Sequence, residues 1–101
     1  MERLVIVARL QDGTYDEAED LLAAGPPFDP AEHGFRRHTV YLTATEVVFF
    51  FEADEVEWIV SDLLDDPVLA AALAPWRSIV DGPPRIAHER YDWSRARDPA
   101  G

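Results

Sequence analysis

The chain has 101 residues, nine basic against twenty acidic, for a net charge of −11 at neutral pH, with 48% hydrophobic and 11% aromatic residues and no cysteine. That describes one domain with a single modest core, and the charge disfavours nucleic acid and anionic lipid as partners. Without cysteine there is no disulfide framework, thiolate zinc site or thiol nucleophile; the first apolar run, residues 4–7, is too short for a signal peptide or a membrane span, so a cytoplasmic location is expected.

Residues 4–10 are rich in β-branched side chains and end at Asp12-Gly13, a turn pair, which predicts a first strand. Thr14-Tyr15-Asp16-Glu17 has the capping-box pattern, and Ala18, Leu21 and Leu22 follow at helical spacing, so a helix is expected over 14–24. Gly25-Pro26-Pro27 stops it, and the chain to Gly34 reads as a loop longer than a plain connection needs. Residues 36–43 and 47–52 are strand-like runs around Ala44-Thr45-Glu46, a hairpin in which Leu42 is expected to face Val47. Asp54 is the expected cap of a second helix ending at Leu64, with Val56, Ile59, Val60 and Leu63 as its buried stripe. Pro67 opens a third helix carrying Leu69, Leu73, Trp76 and Val80 near one face, which Pro75 should kink or divide. Residues 85–93 alternate as a fourth strand, residues 1–94 form the domain, and 95–101 are expected to be a flexible tail.

The order is strand, helix, strand, strand, helix pair, strand, an α+β ferredoxin-like βαββαβ chain with an extra short helix before the last strand. In the hairpin, one face carries Arg36, His38, Val40 and Leu42 beside Val47, Phe49 and Phe51; the other carries Arg37, Thr39 and Tyr41 beside Val48, Phe50 and Glu52. Helices cover only one face of such a sheet, so Val5, Val7, Val48, Phe50 and Tyr41 on the second face predict a homodimer, closing a dimeric α+β barrel.

The chemistry available is sparse. His38 and His88 fall on the strand face of Leu4, Ile6 and Ala8, with Arg36 near the start of the second strand. In a pocket between sheet and helices a histidine can act as general acid or base and an arginine can stabilise an enolate or phenolate. The bland alternative is two core histidines bonded to backbone groups and an arginine reaching out at the rim. Trp76 keeps helical register with Leu69 and Leu73, whereas Trp58 lies off its helix stripe, at an edge or interface. His33, His38 and His88 have no local metal-ligand spacing, and neither a metal nor a cofactor is expected.

Gly34-Phe35-Arg36-Arg37-His38, Val47-Val48-Phe49-Phe50-Phe51-Glu52-Ala53-Asp54, Asp66-Pro67-Val68-Leu69 and the closing Tyr91-Asp92-Trp93 together resemble the tetracenomycin-type aromatic polyketide cyclases. The resemblance implies a homodimeric α+β barrel in which a cavity between sheet and helices holds a poly-β-ketone and steers its closure without cofactor. This sequence departs from the family's polar positions. Gly25-Pro26-Pro27-Phe28 stands where the family has a His-Asp pair, His38 replaces the third arginine of its Arg-Arg-Arg run, and Phe49 replaces the histidine of its third strand. Rhamnose mutarotases and antibiotic-biosynthesis monooxygenases share the layout. The expected activity is cofactor-independent cyclisation or isomerisation of an aromatic or polyketide-like molecule. His38 would be acid or base, Arg36 the anion stabiliser and His88 a second proton carrier, with Phe28, Phe49, Phe51 and Trp76 contacting the ligand. Its rivals are a non-catalytic dimer that binds an apolar ligand or a protein partner, its cavity closed by Phe28, Phe49 and Phe51, and a cofactor-free monooxygenase.

Overall fold

The computed structural model describes residues 2–93 and Arg95. Strand β1 (Glu2–Arg9) leads into helix α1 (Tyr15–Ala23), followed by strands β2 (Arg37–Leu42) and β3 (Glu46–Ala53). Three helices follow, α2 (Val56–Asp65), α3 (Pro67–Ala72) and α4 (Ala74–Ile79), before the short strand β4 (Arg85–Ala87). The sheet is antiparallel throughout, in the order β2-β3-β1-β4, so the two connections that carry helices return to non-adjacent or edge positions, as a split βαβ arrangement requires.

The hairpin register is the expected one, with Leu42 opposite Val47 and His38 opposite Phe51. Because side chains alternate along a strand, this places His38, Val40, Phe49 and Phe51 on the face that also carries Leu4, Ile6 and Ala8. Two apolar clusters form on that face. One gathers Leu4, Phe35, Phe51, Ala53 and the inner residues of α2 and α3, Val56, Val60, Leu63 and Leu69. The other gathers Ala8, Leu10, Val47, Ala18 of α1 and Ile79 of α4. Phe49 packs against both.

Local expectations fared unevenly. Asp66 caps α3 through Oδ1, which accepts from the Val68 N–H at 2.9 Å, and Pro75 divides the helical run at Leu73. Thr14 makes no capping bond; its Oγ1 instead donates to the Gln11 carbonyl at 2.7 Å, stabilising the turn before α1. At the start of α2 the cap position falls to Glu55 rather than Asp54, in left-handed backbone (φ 54°), and the Val56 N–H donates to Glu2 Oε1 at 3.2 Å. The fourth strand pairs only through Ala87, opposite Val5, and residues 88–93 lie outside the ladder. There Arg3 takes over from backbone pairing, with bonds to both carboxylate oxygens of Asp92 (3.1 and 3.0 Å) and an ion pair to Glu89 (3.0 Å). Apart from Arg95, the expected tail lies outside the described residues.

Candidate functional site

Between the two apolar clusters lies a cavity of about 430 Å³, within the range of small-molecule sites. Its floor is the sheet: Ile6 from β1, His38 and Val40 from β2, Phe49 and Phe51 from β3. Its roof is helical, with Leu21 and Leu22 of α1, Val60, Leu63 and Leu64 of α2, Leu69 of α3, Trp76 of α4 and Leu73 at the junction. The loop after α1 closes one side through Gly25, Pro26, Pro27, Phe28 and Pro30. The stripes that predict helices 2 to 4 thus supply the roof as well as the core, because helices and sheet part between the clusters.

Among the described residues, His38 is the one titratable side chain in this wall. Its ring is stacked on Phe51, centroids 4.5 Å apart and planes 15° from parallel, and it meets Phe28 at 5.6 Å. Nδ1 lies 3.0 Å from the Phe50 carbonyl oxygen. A carbonyl can only accept, so Nδ1 carries the proton and, in the neutral ring, Nε2 carries the lone pair. Among the described residues no buried side-chain nitrogen or oxygen lacks a partner, and no bond engages Nε2, so that nitrogen is accessible. Backbone and Phe51 therefore fix the ring's tautomer and plane while leaving one basic nitrogen open.

Of the residues singled out in the sequence, His38, Phe28, Phe49, Phe51 and Trp76 come together at the cavity, with Phe49 and Trp76 in edge-to-face contact at 5.5 Å. Arg36 and His88 do not line it. Arg36 is exposed just before β2, its N–H donating to the Glu52 carbonyl at 2.7 Å. His88 lies one residue beyond β4, exposed, beside an open polar cleft with Glu2, Arg3, Glu57 and Arg90. Had the strand continued as predicted, His88 would have faced inwards beside Leu4; the ladder ends at Ala87, and His88 is exposed. Phe28, Phe49 and Phe51 are walls that leave the cavity open. Among the described residues, no three His, Asp or Glu side chains gather in a way that could hold a metal ion, and no helix is long and apolar enough to cross a membrane.

No protein-family model matches the chain, and no curated protein matches it. Solved structures do. Tetracenomycin F2 cyclase from Streptomyces glaucescens, a type-II polyketide cyclase, superposes with a TM-score of 0.72 at 15% identity, covering 93% of this chain and 98% of its own. The chain has a ferredoxin-like α+β fold, the fold of α+β barrel subunits. Two further α+β barrel matches each have a TM-score of 0.63. NE2512, a protein of unknown function from Nitrosomonas europaea, is 20% identical over 91% of this chain and 94% of its own. L-rhamnose mutarotase FA22100 from Formosa agariphila is 14% identical over 93% of this chain and all of its own. The cyclase and the mutarotase share a fold and differ in chemistry, so the likeness settles architecture and leaves activity to the site.

Proposed function

We propose that this α+β barrel protein binds a neutral, largely apolar molecule with a planar ring system in the cavity between sheet and helices, and that His38 moves a proton on it through Nε2, without a cofactor. The observation that carries the proposal is the isolation of His38: one oriented, accessible imidazole nitrogen in a wall that is otherwise apolar. A sugar bound there would leave most of its hydroxyls unpaired, which is costly in an apolar site, so the mutarotase-like alternative is disfavoured. An aromatic or polyketide-like molecule with one enolisable ketone or phenol suits the wall. His38 as base takes the proton from carbon or oxygen, and as imidazolium it returns it elsewhere on the same molecule, giving isomerisation or the proton steps of a ring closure. Arg36 and His88 lie outside the cavity, and this reading assigns them no step.

The test compares wild type with His38→Ala in binding and turnover of such compounds. Binding retained with turnover lowered by about 10²–10⁴ supports acid–base catalysis, and unchanged turnover contradicts it. That no arginine among the described residues lines the wall favours one alternative, a binding protein without catalysis, for which His38→Ala changes affinity only. Oxygen uptake with a phenolic ligand would instead identify a cofactor-free monooxygenase.

The same reading includes a homodimer through the sheet face opposite the helices. By strand alternation that face has Val5, Val7, Val48, Phe50 and Tyr41 at its centre and Arg3, Arg9, Arg37, Arg85, Glu46 and Glu52 towards its rim. Arg3 approaches Glu52 at 3.9 Å, and Arg85 pairs with Glu46 at 3.0 Å. An apolar centre inside a polar rim is the anatomy of a protein interface. In a chain of net charge −11, a face whose four arginines are set against Glu46, Glu52 and the Glu89 and Asp92 held by Arg3 is close to neutral and can meet its own copy without strong repulsion.

A further inference from the structure

The loop between α1 and β2 is held in an uneven way. Its distal part is closed on itself: Asp29 Oδ1 accepts from the Ala31 N–H at 3.0 Å, and the Pro30 carbonyl accepts from the His33 and Phe35 N–H groups at 3.2 and 3.1 Å. Its proximal end is tied to α1, with the Gly25 N–H donating to the Leu22 carbonyl at 3.1 Å. Between these anchors, Pro26, Pro27 and Phe28 make no backbone hydrogen bond to any described residue, and the prolines have no N–H to offer. What holds this arm down is the Phe28 ring, which meets His38 at 5.6 Å, His33 at 5.8 Å and Phe35 at 6.0 Å. The arm leaves α1 at Gly25, whose φ of 89° suits glycine and which has open space where a side chain would begin. A stiff diproline rod therefore sits between a permissive joint and a fixed turn, latched by one aromatic ring, and it lines the cavity.

We propose that residues 25–29 form a hinged gate over the cavity, that Phe28 is its latch, and that lifting the latch admits the ligand to the wall that carries His38. This inference rests on the ligand-binding reading above. Residues His33 and Phe35 hold the latch without lining the cavity, so latch strength can be altered without touching the ligand's surroundings.

Stopped-flow binding of the neutral fluorescent probe N-phenylnaphthylamine, followed in wild type, Phe28→Ala and His33→Ala, tests the gate. A residue that is only wall alters affinity through dissociation, as most contact changes do, whereas a latch alters association. The association rate constant is expected to rise on the order of tenfold in Phe28→Ala and by a smaller factor in His33→Ala. Binding to the variants with none to wild type also supports the gate. Association rates equal to wild type in both variants, with probe bound, overturn the gate and leave the binding reading standing. No probe bound by any of the three, each folded by circular dichroism, overturns both. His33→Ala keeps the test decisive if Phe28→Ala fails to fold.

Discussion

His38 owes its chemical character to two neighbours on strand β3. The Phe50 carbonyl selects which nitrogen holds the proton, and the Phe51 ring, stacked at 4.5 Å, fixes the imidazole plane. Phe51 is thus both the ring that sets the imidazole plane and a core residue, buried with 6% of its surface exposed. Replacing it by leucine keeps most of the apolar volume and removes the stacked ring. Phe51→Leu is expected to cost about 1–2 kcal/mol of stability in urea unfolding, and to lower kcat more than it changes KM. Equal loss of function through KM alone would show that stacking does not position His38. The position of this histidine was legible in the sequence because strand alternation and the Leu42–Val47 register together decide its face. Its isolation was not, since Arg36 and His88 share its expected face and only tertiary structure carries them out of the cavity.

Among the elements, the hairpin and the helical stripes could be read because each rests on a local period, two for strands and 3.6 for helices. The starts of α3 and α4 could be read too, at Pro67 and Pro75, but termini whose partners come from elsewhere in the chain could not. Helix α2 shows this plainly: its Val56 N–H is satisfied by Glu2, 54 positions away, while Asp54 has the favoured cap composition beside it. Glu2→Ala removes that acceptor and a negative charge near the helix start, and is expected to destabilise the protein by about 1 kcal/mol. Glu2→Gln, which keeps an acceptor, should lose less; no change in either denaturation midpoint would contradict the cap. The fourth strand erred for a related reason. The alternation of residues 85–93 is real, but an edge strand has one neighbour, and beyond Ala87 ion pairing to Arg3 replaces the ladder. The Asp92 hydrogen bond, aided by the charges of Asp92, Glu89 and Glu52 against desolvation, raises the Arg3 pKa above its ordinary value. A raised cation pKa contributes below that ordinary value and is lost only as pH rises through the folded one, so Arg3 itself brings no pH dependence near neutrality.

At the scale of the whole molecule, the fold keeps its two apolar clusters apart and leaves the cavity between them, so the same sheet face serves as core at its ends and as cavity floor in its middle. Among the described residues, α1 to α4 all pack on that face and leave the opposite one uncovered. Its central Phe50 is the residue to change in testing the homodimer, since the ring belongs neither to the clusters nor to the cavity wall. Sedimentation of wild type is expected to give twice the 11.4 kDa chain mass. Phe50→Glu should give the chain mass with unchanged circular dichroism, because a desolvated carboxylate against its symmetry mate is strongly unfavourable. A monomeric wild type would remove the dimer from the account and leave the cavity intact.

The central claim is that the cavity takes a neutral planar ligand with His38 in its wall. Thermal denaturation against planar aromatic and polyketide-like compounds tests it most directly. A ligand at 100 times its dissociation constant is predicted to stabilise the native state by about 2.7 kcal/mol, and compounds bearing one ketone or phenol should lose part of their shift in His38→Ala. No shift with any compound up to its solubility limit, in a protein that unfolds cooperatively, would contradict the claim.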